Sequence, residues 1–295
     1  MSSGELPETE GVNPRGTDLD RLDAAALVRT LVAEQRYAVD AVVERVPELA
    51  AVVDAIAERI AAGGRLHYVG AGTSGRLAVL DAAEMFPTFG TPHGTVCAHL
   101  AGGEAALTRA VEGAEDDAEA GAGAIAGCAD ARDAVVGISA SGSAAFVVAA
   151  LARAREAGAY AVALVNAAGS ALEREADATV VLRTGPELIA GSTRMKAGTA
   201  QKIALNAIST AVMVRLGKVH GHLMVDVVAS NRKLHARAVG LVQTLAGVDA
   251  ERARELLVRA DGRVKVAVIM QRRGVDALQA RALLAQHAHR LRPLL

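Results

Sequence analysis

The feature that most constrains this chain is a repeat of short apolar runs, each ending in a small-residue loop before a helical pattern begins. The runs cover residues 65–69, 94–101, 133–138, 160–165 and 179–182. Apolar runs that alternate with helices are typical of parallel strands that are buried on both faces of a sheet. The sequence therefore predicts the α/β fold class, with a five-stranded parallel sheet flanked by helices.

The two ends of the chain depart from this repeat. Residues 1–16 are polar and predict a flexible N-terminal arm, and residues 17–234 contain the sheet domain with helices before its first strand. Strand-like runs stop after residue 234, so residues 235–295 are predicted to form a small C-terminal module of three helices. Asp249 and Asp276 each stand where an N-cap would start a helix of this module.

Composition argues against two classes of partner. The formal net charge is −1 and aromatic residues make up 2% of the chain, so neither a basic surface nor stacking rings are expected for nucleic acid. The uncharged stretch 134–152 carries Ser139, Ser141 and Ser143 near its centre, where a membrane helix would be most apolar. We therefore expect no nucleic-acid partner and no membrane association.

Three of the predicted strands lead into loops that are rich in small hydroxyl side chains. The candidate binding residues in these loops are Thr73, Ser74, Ser139, Ser141, Ser143, Ser192 and Thr193. Lys196, at the start of the long helix that follows the fifth predicted strand, is a further candidate. Carboxyl ends of parallel strands border the ligand crevice, and helix N-termini at that edge favour phosphate. Any one of these loops, taken alone, is better explained by hydroxyls that act as N-caps, but three such loops at matching strand ends favour a phosphate site.

Two nucleotide-binding motifs are partly matched and fit less well. Gly70, Gly72 and Gly75 match the dinucleotide fingerprint, but the next predicted strand ends without an acidic residue that would hold a ribose. Arg76 stands where a P-loop requires a lysine followed by serine or threonine. A hydroxyl-lined monophosphate site is the better interpretation.

Carboxylates are the acid–base candidates of this chain. Glu84 lies at the end of the helix of the first loop. After the second predicted strand there is a cluster of four acidic residues: Glu112, Glu115, Asp116 and Asp117. Taken alone, such an acidic cluster is more often a solvated surface than a catalytic group.

The remaining metal-binding and thiol side chains suggest no cofactor. Two histidine pairs, His220 with His222 and His287 with His289, lack cysteine or acidic ligands at metal spacing, so no metal site is expected. The two cysteines, Cys97 and Cys128, have no CxxC spacing, and the polar N-terminus has no apolar signal core. Both observations favour a reducing, cytoplasmic setting.

Taken in order, the motifs resemble those of the N-acetylmuramic acid 6-phosphate etherases. The matching stretches are residues 68–77, 80–82, 87–90, 110–116, 185–187, 191–194, 198–202, 216–219 and 224–227. The similarity runs from about residue 13 to the C-terminus. One departure is the loop Ser141-Gly142-Ser143-Ala144-Ala145, where the family usually continues Ser-Gly-Arg-Thr-Pro.

The resemblance implies a sugar isomerase domain, a C-terminal module resembling a ubiquitin-associated fold, and a homodimer. It implies a lyase that cleaves the D-lactyl ether of N-acetylmuramic acid 6-phosphate, giving N-acetylglucosamine 6-phosphate and D-lactate, without metal or redox cofactor. The family's two catalytic glutamates fall on Glu84, taken as the acid, and Glu115. Because Ser74 and Glu84 are about 15 Å apart along one predicted helix, we expect the active site to be shared between two subunits.

A non-enzymatic function is the alternative. Regulators with the same domain, such as glucokinase regulatory protein, bind sugar phosphates and control a partner protein. The presence of Glu84 favours the enzyme.

Overall fold

The computed structural model describes residues 8–228 and 232–295, which form two compact units. The sheet unit contains residues 8–82 and 94–209, and the helical unit contains residues 83–93 and 210–295. Residues 1–7 of the predicted N-terminal arm, and residues 229–231 of the predicted sheet domain, lie outside the described residues.

Five parallel strands form the centre of the sheet unit, as the sequence predicted. They are β1 (Leu66–Gly70), β2 (Val96–Leu100), β3 (Ala134–Ser139), β4 (Tyr160–Val165) and β5 (Ala178–Val181). Their order across the sheet is β2-β1-β3-β4-β5. In this register Leu66 pairs with Val96 on one side and with Ala134 on the other.

Helices cover the sheet because its central strands are apolar on both faces. The helices whose residues lie wholly or mainly in the sheet unit are α1 (Ala24–Glu34), α2 (Arg36–Val43), α3 (Val46–Ala61), α4 (Gly72–Ala83), α6 (Ala118–Ile125), α7 (Ala145–Glu156), α8 (Ala171–Arg174) and α9 (Lys196–Arg215). Every residue of β1 and β3 is buried. With so few aromatic residues, the core is made mainly of aliphatic side chains such as Val69, Val135, Val147, Leu151 and Leu172. Each of the larger ones contributes about 1.5–3 kcal/mol through burial.

The helical unit has its own core. Its elements are α5 (Met85–Phe89), the short antiparallel strands β6 (Val219–His220) and β7 (Leu223–Met224), and the helices α10 (Arg232–Ala246), α11 (Ala250–Arg259), α12 (Val264–Arg273) and α13 (Ala277–Gln286). Asp249 and Asp276 are N-caps, as predicted, because each accepts a hydrogen bond from a backbone N–H of the following turn. No helix within the described ranges is long and apolar enough to cross a membrane.

Candidate active site

The strand order places the ligand crevice at one edge of the sheet. β1 lies between β2 and β3, so the order of the strands reverses between β1 and β3. Open parallel sheets bind ligands outside the carboxyl ends of the strands at this point of reversal. The loops that follow β1 and β3 are therefore the candidate binding loops, and both carry hydroxyl residues that the sequence singled out.

The loop after β1 places the start of α4 directly against the end of the strand. A Cβ atom on Gly75 would lie 2.5 Å from the carbonyl oxygen of Gly70 and 2.4 Å from a methyl group of Leu100. These glycines therefore form the close strand–helix turn of the partly matched fingerprint. Thr73 and Ser74 lie in the first turn of α4, at the positive end of the helix, where backbone N–H groups have no partner within the helix itself.

The loop after β3 is shaped by its own serines. The buried Ser139 hydroxyl accepts from the N–H of Gly142 at 3.0 Å, and the hydroxyls of Ser141 and Ser143 lie 2.7 Å apart. Gly142 has a φ of +67°, and a Cβ atom there would lie 2.3 Å from the side chain of Ser170. Ser139 thus holds the loop in shape, while Ser141 and Ser143 keep solvent access beside the start of α7.

A chain of side-chain hydrogen bonds links three strand ends. The buried Ser74 hydroxyl donates to Gln201 Oε1 at 2.8 Å, and Gln201 Nε2 donates to Asn166 Oδ1 at 2.9 Å. Asn166 directly follows β4 and donates to the carbonyl of Leu182 at 3.0 Å, just beyond β5. Gln201, from α9, therefore fixes the relative positions of the loops after β1, β4 and β5.

The start of α9 is already capped by a carboxylate. Glu187 accepts from the backbone N–H groups of Lys196 at 3.2 Å and Ala197 at 2.9 Å. Burial raises the pKa of Glu187, and these two N–H groups act against that rise. Because its first N–H groups are satisfied, α9 offers an anion the half-buried hydroxyls of Ser192 and Thr193 rather than its backbone.

Lys196 lies in a buried ion pair. Its ammonium donates to Glu34, whose carboxylate also accepts from Asn13 at 2.8 Å and from the Arg15 guanidinium at 3.2 Å. Burial acts to raise the pKa of Glu34, but donation from Lys196 and Asn13 outweighs it and the pKa lies below its ordinary value. The contact fixes α1 to the start of α9. It therefore also holds in position the preceding loop, which carries the hydroxyls of Ser192 and Thr193.

We expect Lys196→Met to lower the free energy of unfolding by about 3–5 kcal/mol, because a buried carboxylate loses its main counter-charge. Since Glu34 has a lowered pKa in the folded state, its stabilisation is present above the ordinary carboxyl pKa and is lost as the pH falls through the folded value. The loss should therefore be larger at pH 7 than at pH 4 in urea unfolding. The exposed Lys202 on the same helix is the matched control, and Lys202→Met should change stability by less than about 0.5 kcal/mol. Equal stabilities of the two variants at pH 7 would contradict the importance of this pair.

Glu115 lies at the same end of the sheet as the hydroxyl loops. It is exposed on a 3-10 turn, Ala114–Asp116, which follows β2 and packs against α7. Arg76, the residue that rules out a P-loop, braces this connection by donating to the carbonyls of Ala106 at 2.8 Å and Arg109 at 3.1 Å. The guanidinium therefore holds the segment that leads to Glu115.

Glu84 belongs to the helical unit, where it is exposed between α4 and α5. The following turn is tightly built, because Phe86 stacks on His93 with ring centroids 4.3 Å apart. Gly90 ends α5 with a φ of +60°, and a Cβ atom there would lie 2.4 Å from the carbonyl oxygen of Asp226. Glu84 is thus presented to solvent by a well-packed segment.

Sequence reasoning missed four residues of this region: Glu34, Asn166, Glu187 and Gln201. Asn166 could have been found, because it is the polar residue directly after an apolar run, as at the other strand ends. Glu187 and Gln201 lie within stretches that resemble the etherases, but nothing in their spacing indicates which atoms they contact. Glu34 carries no signal, since it lies 162 positions from Lys196.

Comparison with known proteins identifies the family. A protein from Synechococcus sp. (strain CC9605), named N-acetylmuramic acid 6-phosphate etherase, is 49% identical over 97% of this chain and 91% of its own length. A protein of the same name from Rubrobacter xylanophilus is 48% identical over 96% of this chain and 94% of its own length. The chain belongs to the N-acetylmuramic acid 6-phosphate etherase family.

Three family models match parts of this etherase family member, and the first two overlap. Residues 48–155 match the glucokinase regulatory protein N-terminal SIS domain, residues 114–211 match the SIS domain, and residues 221–275 match the C-terminal lid domain of glucokinase regulatory protein. Among solved structures, a phosphoheptose isomerase from Francisella tularensis is 18% identical, with a TM-score of 0.49 over 66% of this chain and 98% of that chain. That similarity is too low to bear on activity.

Proposed function

We propose that this chain is a lyase that cleaves the D-lactyl ether of N-acetylmuramic acid 6-phosphate, giving N-acetylglucosamine 6-phosphate and D-lactate. The observation that carries the proposal is identity of 48–49% over nearly the whole chain to proteins named for that activity. The hydroxyl-lined edge of the sheet, together with the N-terminal end of α4, suits the phosphate of such a substrate.

The phosphate is proposed to bind between the loops after β1 and β3. The donors are the N–H groups of Thr73 and Ser74 and the hydroxyls of Thr73, Ser141 and Ser143, to which Ser192 and Thr193 add from the start of α9. Ser74, Ser139 and Lys196 have side chains engaged in internal contacts, so their part is to hold these loops in position. The missing Arg and Thr of the family's usual third loop leave hydroxyls and backbone as the donors there.

The chemistry follows from the substrate itself. In the ring-opened sugar the aldehyde at C1 activates the proton at C2, and the lactyl ether oxygen at C3 is β to that carbonyl. One carboxylate takes the C2 proton, the C3–O bond breaks, and an acid protonates the departing lactate. Water then adds at C3 and a proton returns to C2. Two carboxyl groups perform all of these transfers, and we assign Glu84 as the acid and Glu115 as the base.

The phosphate site makes a separate prediction. Ser141→Ala should raise KM for N-acetylmuramic acid 6-phosphate by about 10-fold with a smaller change in kcat, because it removes one donor to a group that does not react. Ser170 lies behind the same loop, and Ser170→Ala is the matched control that should leave KM nearly unchanged. Steady-state kinetics measure KM for both variants, and an unchanged KM in Ser141→Ala would contradict the proposed phosphate site.

The direct test of the function is release of D-lactate. Purified protein incubated with N-acetylmuramic acid 6-phosphate should liberate D-lactate in equal amount to N-acetylglucosamine 6-phosphate, and N-acetylmuramic acid without phosphate should be a very poor substrate. Tight binding of the sugar phosphate with no D-lactate release would instead favour a regulator that controls a partner protein.

The enzyme is proposed to act in the cytoplasm as a homodimer with a shared active site. From Ser74 to Ala82 the helix α4 rises about 12 Å, and Glu84 follows further along the chain. The distance from a phosphate at the start of α4 to the end of that helix is therefore longer than the distance between the phosphorus and C3 of a hexose phosphate. A second copy related by a two-fold axis can supply Glu84 to this site.

Mixed dimers test this arrangement. Ser141→Asp and Glu84→Gln proteins, each inactive alone, should regain about half of wild-type activity per mixed dimer after subunit exchange, because one of the two shared sites is then intact. Mixtures of Ser141→Asp with the Ser141→Asp, Glu84→Gln double variant are the control and should stay inactive. No recovery in a verified mixed dimer would mean that each chain carries a complete site.

A further inference from the structure

A second group of reactive side chains lies in the sheet unit and has no part in the proposed reaction. His67 Nδ1 is 3.0 Å from His99 Nε2, and one ligand atom from each of His67, His99 and Cys128 lies within 4.8 Å of the other two. His67 is the second residue of β1, so this cluster begins toward the amino ends of the strands, whereas the hydroxyl loops follow the carboxyl ends.

The three side chains converge on one face of the sheet. His67 pairs with Cys97 across β1 and β2, and alternate residues of a strand share a face, so His99 lies on the same face as His67. Cys128 follows α6, whose last residue, Ile125, packs over this face in the same core cluster as Val69. Strand alternation and helix packing therefore bring two imidazoles and one thiol together.

The donor set and its spacing suit zinc. Zn²⁺ prefers imidazole nitrogen and thiolate sulfur in a tetrahedral arrangement, and two nitrogens bound to it lie about 3.3 Å apart. In this structure the two imidazole nitrogens share a hydrogen bond at 3.0 Å, so the ion would replace the proton between them, which moves to the second nitrogen of its own ring. Both imidazoles bind in the neutral form, and binding replaces the thiol proton of Cys128, which is released to solvent.

A buried carboxylate is in place to orient the first ligand. His67 Nε2 is buried without a hydrogen-bond partner among the described residues and lies 3.5 Å from Asp133 Oδ2. Asp133 is itself fixed by the backbone N–H of Arg65 at 2.7 Å, by the Arg65 guanidinium at 3.0 Å and by the N–H of Asp130 at 3.0 Å. Metal-bound histidines usually donate their second ring N–H to such a carboxylate. Metal at Nδ1 would make Nε2–H a stronger donor to Asp133.

We propose that His67, His99 and Cys128 bind one Zn²⁺ ion, with a water molecule as the fourth ligand and Asp133 as the partner of His67. The ion ties β1 and β2 to the connection between α6 and β3. A zinc–thiolate pair carries a net charge of +1 and would lie beside the ion pair of Asp133 with Arg65. No metal-ligand spacing in the sequence marks this site, because its ligands come from three separate elements.

Zinc titration of the full-length protein tests the proposal. Reduced, chelator-treated protein is titrated with Zn²⁺ in competition with a chromophoric zinc indicator, and one Zn²⁺ per chain should bind. Cys128→Ser and His99→Gln should each weaken binding by at least about 100-fold, whereas Cys97→Ser, the matched thiol control, should change it by less than about 3-fold. His67 is left intact in these variants because it is fully buried.

Cobalt(II) gives a second readout that does not depend on activity. The wild-type protein should show the thiolate-to-cobalt charge-transfer band and the strong visible bands of a tetrahedral site, and Cys128→Ser should lose the charge-transfer band while Cys97→Ser keeps it. Absence of stoichiometric zinc binding by the wild-type protein, or loss of the band in Cys97→Ser as complete as in Cys128→Ser, would overturn the assignment. Neither readout requires that the protein be a lyase.

Discussion

Glu84→Gln is expected to lower kcat for D-lactate release by about 10²–10⁴-fold, the range that general acid catalysis supplies. The amide keeps the shape of the side chain but cannot give a proton to the departing lactate. The Glu84 carboxylate is exposed and makes no hydrogen bond to another described residue, so the change should cost less than about 0.5 kcal/mol of stability.

The measurement that isolates this effect combines kinetics with binding. Calorimetry should give nearly the same Kd of Glu84→Gln and wild-type protein for N-acetylmuramic acid 6-phosphate, while kcat falls. Glu251, also exposed and in the helical unit, is the matched control, and Glu251→Gln should keep wild-type kcat. If Glu84→Gln turns over at the wild-type rate, Glu84 is not the acid.

Glu115→Gln is expected to abolish exchange of the C2 proton of the substrate with deuterated water. Because proton abstraction precedes loss of lactate, kcat should fall by about 10²–10⁴-fold as well. The contrast with Glu84→Gln is informative, since loss of the acid leaves the base able to exchange the C2 proton without elimination.

Proton magnetic resonance of the C2 signal in deuterated buffer measures this exchange. Glu112 is the matched control, because it is exposed on the same connection after β2, and Glu112→Gln should exchange at the wild-type rate. Exchange by Glu115→Gln at the wild-type rate would assign the base to another group.

The sequence predicted the parts of the fold that depend on neighbouring residues. Apolar runs such as the one at β3 and caps such as Asp276 reflect local physical requirements, namely burial on two faces and an acceptor for unpaired N–H groups. The hydroxyl loops could be placed for the same reason, because the carboxyl ends of all parallel strands lie at one edge.

What the sequence could not predict depends on contacts between distant segments. Glu34 and Lys196 are separated by 162 positions, so nothing in the sequence shows that Lys196, which was predicted to bind substrate, has a carboxylate partner. The buried ion pair of Lys196 with Glu34 on α1 instead indicates that the Lys196 side chain stabilises the fold. His67 and His99 likewise carry no metal motif, and only the pairing of β1 with β2 brings them together.

The proposed lyase cleaves the C3–O bond by elimination, which is followed by addition of water. The most direct test is turnover of N-acetylmuramic acid 6-phosphate in ¹⁸O-labelled water, with mass spectrometry of both products. We expect one ¹⁸O atom at C3 of N-acetylglucosamine 6-phosphate and none in the hydroxyl of D-lactate. Label in the lactate hydroxyl would show attack at the lactyl carbon and would contradict the proposed mechanism.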